Sequence, residues 1–291
     1  MLIKGVDKFR KKLPALSGKK IIVLPIYAIL MCSIAFAICI AFDALPAAPA
    51  LLGVNQLLLS FFPLFGVLIV LAVGFCLIWQ MWIWRDRLKA KYGPTSYQRV
   101  IPFGFGGVLW IFAAAVNPYV PFYSYAQSFW ASAPLQFLAI PLENFMGIAG
   151  PAVLYARFAL AASLTLMGIM MIVRALQVFG IDYMAVVYLY FPEESQIQEN
   201  EIYSALRHPT YTGILTISLG GVFAGFTLLS FVTYLALLIS FYAHIHYVEE
   251  KELIQRFGKP YRDYMNKVPA FLISPKKAGT LLEFLLYSKR S

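Results

Sequence analysis

Two short polar stretches in this chain carry residue types that can do chemistry. The first is Arg207-His208-Pro209-Thr210-Tyr211-Thr212-Gly213. The second is Glu249-Glu250, reached after an apolar run of 36 residues from Gly213 to Val248. Pro209 suits the first position of a helix, where its missing N–H would be unpaired in any case. His208 then becomes the N-cap and Tyr211 falls in the first turn. Free N–H groups and the positive dipole end make such a start an anion site, and Arg207 adds a full charge beside it. An ordinary capped membrane helix with a snorkelling arginine is the simpler alternative. At the other end, Glu249, Glu250 and Glu252 sit where a helix leaves the membrane, near a terminus that intrinsically prefers cations. A bound cation or a partner would explain them, as would pairing with Lys251, Arg256 and Lys259. His244 and His246 lie about one turn earlier. Two histidines at i, i+2 point to different helix faces and make a poor metal site, so no metal is expected. A core, interface or site-lining role remains for them.

Chain length decides whether the two polar ends can meet. One straight helix of 36 residues would extend roughly 54 Å, far beyond a hydrocarbon core of about 30 Å. Gly220, Gly221 and Gly225 are the weak points before Phe226-Thr227-Leu228-Leu229-Ser230. A helical hairpin turning near 225–231 therefore brings Glu249 back to the side of His208. An anion-binding helix start then faces an acidic helix end. That pairing suits a zwitterionic, water-soluble cofactor with a carboxylate and a cationic group.

The elements that position these ends belong to a membrane protein. The chain is 60% hydrophobic and 13% charged, whereas soluble domains run near 45–50% and about 25%. Of its 24 Lys and Arg, all but Arg157 fall into clusters flanking apolar spans on one side. This is the positive-inside pattern and not the basic, aromatic-interleaved face of a nucleic-acid binder. Both termini and the polar site are accordingly expected on the cytoplasmic side. Cys32, Cys39 and Cys76 lie in apolar segments without metal or redox spacing and read as small buried residues.

The expected fold class is all-α: a polytopic membrane helical bundle of about six spans, ending in a helical hairpin and a cytoplasmic tail. Residues 1–20 read as a basic amphipathic helix on an anionic leaflet, with Leu2, Ile3, Val6, Phe9 and Leu13 on its apolar face, or else as a disordered tail. The run after them is too long for a signal peptide and is taken as a retained span. Residues 21–174 form a four-span scaffold, with spans at Ile21–Phe42, Leu57–Trp84 (bent at Pro63), Ile101–Val116 (loosened by Gly104, Gly106 and Gly107) and Pro151–Val173. The stretch 117–150 is rich in Tyr119, Phe122, Tyr123, Tyr125, Phe129 and Trp130 and reads as interfacial or re-entrant on the outer side. Arg157 either snorkels to the outer interface or lines a cavity. Residues 175–291 hold the site: a membrane-surface connector, the hairpin, and a charged tail whose 268–273 segment is expected to dock on the membrane.

The run Tyr203-x-x-x-Arg207-His208-Pro209-x-Tyr211-x-Gly213, followed by Glu249-Glu250-x-x-Leu253, Phe257-Gly258, Tyr261, Tyr264 and Val268-Pro269, resembles the isoprenylcysteine carboxyl methyltransferase family. That broader group includes phospholipid N-methyltransferases and small-thiol S-methyltransferases. The likeness covers roughly residues 195–273. It implies an S-adenosyl-L-methionine site contacted by Tyr203, His208, Pro209, Thr210, Tyr211 and Glu249. Two positions depart from the pattern. Many members carry Gly two residues before the motif tyrosine, where this chain has Glu201. The carboxyl methyltransferases carry an acceptor-associated Arg four residues before the first Glu, where this chain has Ile245. An acceptor carboxylate would then need another partner, with Arg174, Arg157 or His244 as candidates.

The function expected on this basis is S-adenosylmethionine-dependent methyl transfer to an amphiphilic or isoprenoid-type acceptor that enters from the membrane lipids. Such catalysis is mainly positioning. An ammonium or thiol acceptor must lose a proton, for which His246, His244 and Glu250 are candidate bases, with Arg207 beside them. A phospholipid amine or a small thiol is the alternative acceptor. Membrane sterol reductases, which use NADPH, share an Arg-His-Pro-x-Tyr segment but usually have Asn where this chain has Thr210. A non-enzymatic transporter or lipid-binding scaffold is the remaining alternative, although intramembrane acids are nearly absent.

Overall fold

The computed structural model describes residues 4–16, 18–48, 53–120, 126–130, 133–185, 187–271, 273 and 277–286. Leu2, Ile3, Phe122, Tyr123, Tyr125 and Leu272, each part of a segment interpreted above, lie outside them. The described residues are helical, with no strand among them. Five stretches are long and apolar enough to cross a membrane: Lys20–Ala47, Phe62–Ile83, Arg85–Tyr119, Pro151–Phe179 and Leu228–Phe257. Large apolar side chains cover their outer surfaces, among them Ile29, Leu166 and Ile239, each at least 60% exposed. In water such a belt would be unstable, whereas against lipid it is the ordinary surface of a bundle. The chain is thus an integral, multi-pass helical membrane protein.

The helices that matter here are α1 (Val6–Lys11), α2 (Val23–Ala44), α3 (Phe62–Ile83), α4 (Arg85–Tyr92), α5 (Ser96–Val116), α6 (Pro151–Phe179), α7 (Pro209–Gly225), α8 (Leu228–His244), α9 (Glu250–Phe257), α10 (Lys259–Lys267) and α11 (Ala278–Leu286). Helix α7, at 17 residues, is the sixth apolar helix, and its length of roughly 25 Å is a little short of the hydrocarbon core. The hairpin turns where expected. Phe226 ends α7 in the left-handed region at φ 51°, and Thr227 caps α8 through a reciprocal box with Ser230. Leu142 N–H donates to Phe226 O at 2.8 Å, so the 133–145 segment covers the turn, with Trp130 fully buried beneath it.

Close backbone approach holds the bundle together. A Cβ on Gly107 would stand 2.5 Å from Gly74 O, and one on Gly168 would stand 2.5 Å from Gly213 O. Gly104 and Gly107 therefore seat α5 against α3, and Gly106 seats it against Tyr27 and Met31 of α2, so these glycines do not loosen it. On the other side, Gly213 seats the start of α7 on α6 in the same way. Pro63 also acts differently from the expected bend: it begins α3 afresh after a short helix at Gln56–Leu59. Helix α6 runs to Phe179 and not Val173, and the following 181–190 segment is no surface connector. Val187, Tyr188, Leu189 and Tyr190 are all buried. The N-terminal helix α1 supports this wall, with Ile181 N–H donating to Lys4 O at 2.9 Å and Leu13 buried beside Tyr97. Tyr97 and Tyr190 hydroxyls fix the wall to the scaffold by donating to Ala185 O and Met81 O.

Candidate active site

Helix α7 starts as the sequence dictates: His208 is the N-cap and Pro209 occupies the first turn. The tail then docks on this start and not on a membrane face. Arg207 N–H donates to Pro269 O at 3.0 Å, and His208 N–H donates to Ala270 O at 3.2 Å. The Phe271 ring lies against His208, with centroids 6.3 Å apart. Of the amides counted on for an anion site, that of His208 is therefore occupied by the protein itself, as is that of Arg207 just before it.

Arg207 is similarly committed. Its Nε and Nη2 donate to Glu250 Oε1 at 3.0 and 2.6 Å, and its Nη1 donates to Met265 O and Val268 O. Both side chains are more than nine-tenths buried. His208 Nε2 adds a third contact to the same oxygen at 3.3 Å. The two hairpin ends do meet, but through a desolvated ion pair that neutralises Arg207 and Glu250. Neither is left free as an acid, a base or an anion clamp, which changes the roles expected for both.

Glu249 is the acid left with capacity. It lies at the end of a π-helical turn, Ile245–Glu249, between α8 and α9. The added residue of that turn stacks Glu249 on the face of His244, five positions earlier, where a continuous α-helix would offer the fourth. Glu249 Oε2 stands 3.9 Å from His208 Nδ1 and has no hydrogen-bond partner although buried. It lines a cavity of about 70 Å³ together with Phe179, Tyr188, Tyr203, His208, Arg256, Phe257, Tyr261, Tyr264 and the irregular segment 195–198. Tyr264 hydroxyl donates to Tyr203 O at 2.6 Å and holds the motif tyrosine in place. Burial first, then the neighbouring Tyr264 and Glu249, push the Tyr203 phenol up, so it stays protonated and a hydrogen-bond donor. Pro209 and Thr210 stand in the adjoining first turn, and the Tyr211 ring packs 5.8 Å from His208 and 4.9 Å from Phe241.

The remaining expected residues separate. His244 is buried among Phe75, Trp82 and Tyr211, with Nε2 unpartnered. His246 is exposed on the opposite face, stacked on Tyr242, and does not join the cluster as a base. Ile245 is buried, so no cation occupies that position. Arg174 donates through Nε and Nη2 to Leu285 O, anchoring α11. Arg157 lines a cavity of about 710 Å³ near the hairpin turn and pairs with Glu143 at 2.8 Å. It lies 22 residues, or roughly 33 Å, along α6 from Phe179. Neither arginine reaches the site. Among the described residues, no group of His, Cys, Asp and Glu is placed to hold a metal.

Of two further residues that carry the site, Tyr188 was not singled out by sequence, and Arg256 entered only as a possible partner of the acidic cluster. Tyr188 lies in the wall, and Arg256 sits over its ring at 4.6 Å. Arg256 Nη2 donates to Glu252 Oε1 at 2.7 Å, while its Nη1 is buried without a partner. Glu252 also accepts from Arg85 at 3.1 Å, so α4 braces α9. Pairing with the acidic cluster was the signal available for Arg256, and Glu252 takes that part.

Comparison with known proteins bears on this region. Residues 156–260 match the family model described as phospholipid methyltransferase. The matched segment begins in α6, takes in the wall, Tyr203, the hairpin and both glutamates, and ends at Pro260. It supports a membrane methyltransferase, the group to which the motifs pointed; the isoprenylcysteine branch is not the one it names. No curated protein and no solved structure matches the chain.

Proposed function

We propose that this chain is an S-adenosylmethionine-dependent membrane methyltransferase whose acceptor is an amphiphilic amine. The observation that carries the reading is the cavity between the hairpin ends. An acid with a free oxygen, Glu249, and a cation with a free N–H, Arg256, face it among tyrosine rings. That donor set fits a zwitterion bearing a sulfonium, because aromatic faces attract cations. When bound, S-adenosylmethionine supplies an activated methyl group. Glu249, His208, Tyr203 and Tyr211, with Pro209 and Thr210 in the first turn, would hold it. The cavity itself is far smaller than such a ligand, so the 195–198 segment must move aside.

The amine reading rests on how little positive charge is left for an acceptor beyond Arg256, which faces the donor cavity. Ile245 is apolar, and Arg207, Arg174 and Arg157 are engaged elsewhere. None of these positions leaves a free cation for a carboxylate acceptor, whereas an amine must only lose its proton. His244 Nε2, dry and unpartnered on the Glu249 face, is placed to accept it. The match to the phospholipid methyltransferase model supports the same acceptor class. The clustering of basic residues supports a site that faces the cytoplasm.

The test uses the full chain in lipid nanodiscs. Labelled S-adenosylmethionine should bind, and NADPH should not; binding of NADPH alone would end the reading. With methyl-labelled donor, the label should enter lipids with a primary or secondary amine headgroup. Label recovered only as a base-labile carboxyl ester or on a small thiol would reject the amine acceptor.

A further inference from the structure

Among the described residues that line the cavity, Arg256 is the cationic side chain left with a buried nitrogen that has no partner. Arg207 spends all its nitrogens on Glu250, Met265 O and Val268 O. The backbone N–H groups of Arg207 and His208 are taken by the tail. His208 faces the two glutamates. Arg256 differs. Its side chain is 91% buried, with relative exposure of 9%, and one nitrogen is spent on Glu252 at 2.7 Å. Its Nη1 has no partner, and its plane lies over Tyr188, 4.6 Å from the ring centroid. A buried guanidinium N–H without an acceptor costs free energy, and a structure retains one where a ligand completes it.

Stacking on Tyr188 and the i, i+4 pair with Glu252 hold the guanidinium in one orientation. Glu252 is itself held by Arg85 from α4. The free Nη1 therefore belongs to a fixed group, and its rotamer entropy is already lost before any ligand arrives. The opposite polarity comes from Glu249 Oε2, unpartnered in the same cavity. One free cationic donor and one free carboxylate oxygen match the two charges of an α-amino acid.

Resting on the methyltransferase reading above, we propose that Arg256 is the residue that binds the α-carboxylate of the donor's methionine end, with Glu249 receiving its ammonium group. The helix start at His208 then serves to build the pocket wall and does not act as the anion site. No bond forms or breaks at Arg256; it is a binding residue.

Decarboxylated S-adenosylmethionine, which lacks only the carboxylate, isolates the contact. Equilibrium binding is measured on the full chain in nanodiscs for both ligands. The wild type should bind the carboxylate-bearing donor about 10–100-fold more tightly, the range expected of a charge-assisted hydrogen bond in a buried site. Arg256→Gln should lose that factor for S-adenosylmethionine and leave the decarboxylated ligand unchanged, and Arg256→Lys should recover part of it. Because the decarboxylated ligand reports an intact pocket, misfolding is separated from loss of the contact. Equal loss of both ligands in Arg256→Gln would make the residue a structural brace and overturn the proposal. So would unchanged binding of both. If the wild type binds neither ligand, the methyltransferase reading itself fails, which is a different result from either.

Discussion

Arg207 and Glu250, 43 positions apart in the chain, share one carboxylate oxygen at 2.6 and 3.0 Å from two guanidinium nitrogens. This ion pair closes the hairpin at its polar end, and the tail carbonyls of Met265 and Val268 complete the arginine. Removing one partner of a buried pair strands the other charge, at a cost of about 3–5 kcal/mol. Arg207→Gln and Glu250→Gln should each lower thermal stability in detergent by a large margin. The double variant should lose less than the sum of the two. Strictly additive losses in that double-mutant cycle would show that the pair is not coupled.

Gly213 has a packing role that is separate from chemistry. A Cβ there would meet Gly168 O at 2.8 Å, backbone against backbone, with no flexible side chain to give way. Gly213→Ala should therefore push α7 off α6 and cost about 1–3 kcal/mol, as overpacking does elsewhere. Gly279, whose Cβ would meet nothing and which lies within α11, is the control: Gly279→Ala should leave the melting temperature unchanged or slightly raised. Equal stability of wild type and Gly213→Ala would refute the close contact.

The helical class, the hairpin and its turn were legible because they follow from run length, glycine placement and hydrocarbon thickness. His208 and Pro209 announced a helix start by the same logic, since a missing N–H and a cap are local properties. Three features were not legible, for a common reason. The π turn at Ile245–Glu249 leaves no residue signature, so the faces of His244 and Glu249 could not be superimposed from sequence spacing alone. The docking of Pro269 and Ala270 on Arg207 and His208 uses backbone groups, whose partners have no side-chain code. Tyr188 and Arg256 meet across 68 positions through the packing of the 181–190 wall. Charge counting found Arg207 but could not tell that Glu250 would neutralise it.

Glu201, two residues before Tyr203, has a φ of 50°. A side chain in the left-handed region costs roughly 1–2 kcal/mol, which glycine avoids at about 0.5–1 kcal/mol of extra chain entropy. Glu201→Gly should thus hold or slightly raise the melting temperature, while Glu201→Val, branched at Cβ, should lower it clearly. A drop for the glycine variant as deep as for valine would mean that the Glu201 side chain, and not its backbone, matters here.

The segment Ser195–Gln198 lies over a cavity of about 70 Å³ and has no regular hydrogen-bonded structure. A nucleoside-sized ligand cannot enter without displacing it. Ile197, which packs against Tyr261 and Tyr264, is the contact that must open. Hydrogen exchange on the full chain should show fast exchange at 195–200 without ligand and slowing on addition of S-adenosylmethionine. Slowing confined to the hairpin turn near Arg157 would place the ligand in the other cavity and sink this route of entry.

His244 and His246 separate by environment, and the separation is testable. His244 is enclosed by Phe75, Trp82 and Tyr211, while His246 is exposed and stacks on Tyr242 at an interplanar angle of 8°. A base must reach the acceptor's proton within a dry site, and only His244 shares the Glu249 face. His246→Ala should leave methyl transfer within about twofold, because nothing near the cavity changes. His244→Gln, close in size and still polar, should reduce turnover by about 10²–10⁴-fold, the span typical of a lost general base. Its affinity for S-adenosylmethionine should stay close to wild type, because His244 does not line the donor cavity. Raising the pH should restore part of the lost turnover by deprotonating the amine in solution. Loss of donor binding in His244→Gln, with no recovery at high pH, would assign the ring to packing against Tyr211 and leave the proton to another acceptor.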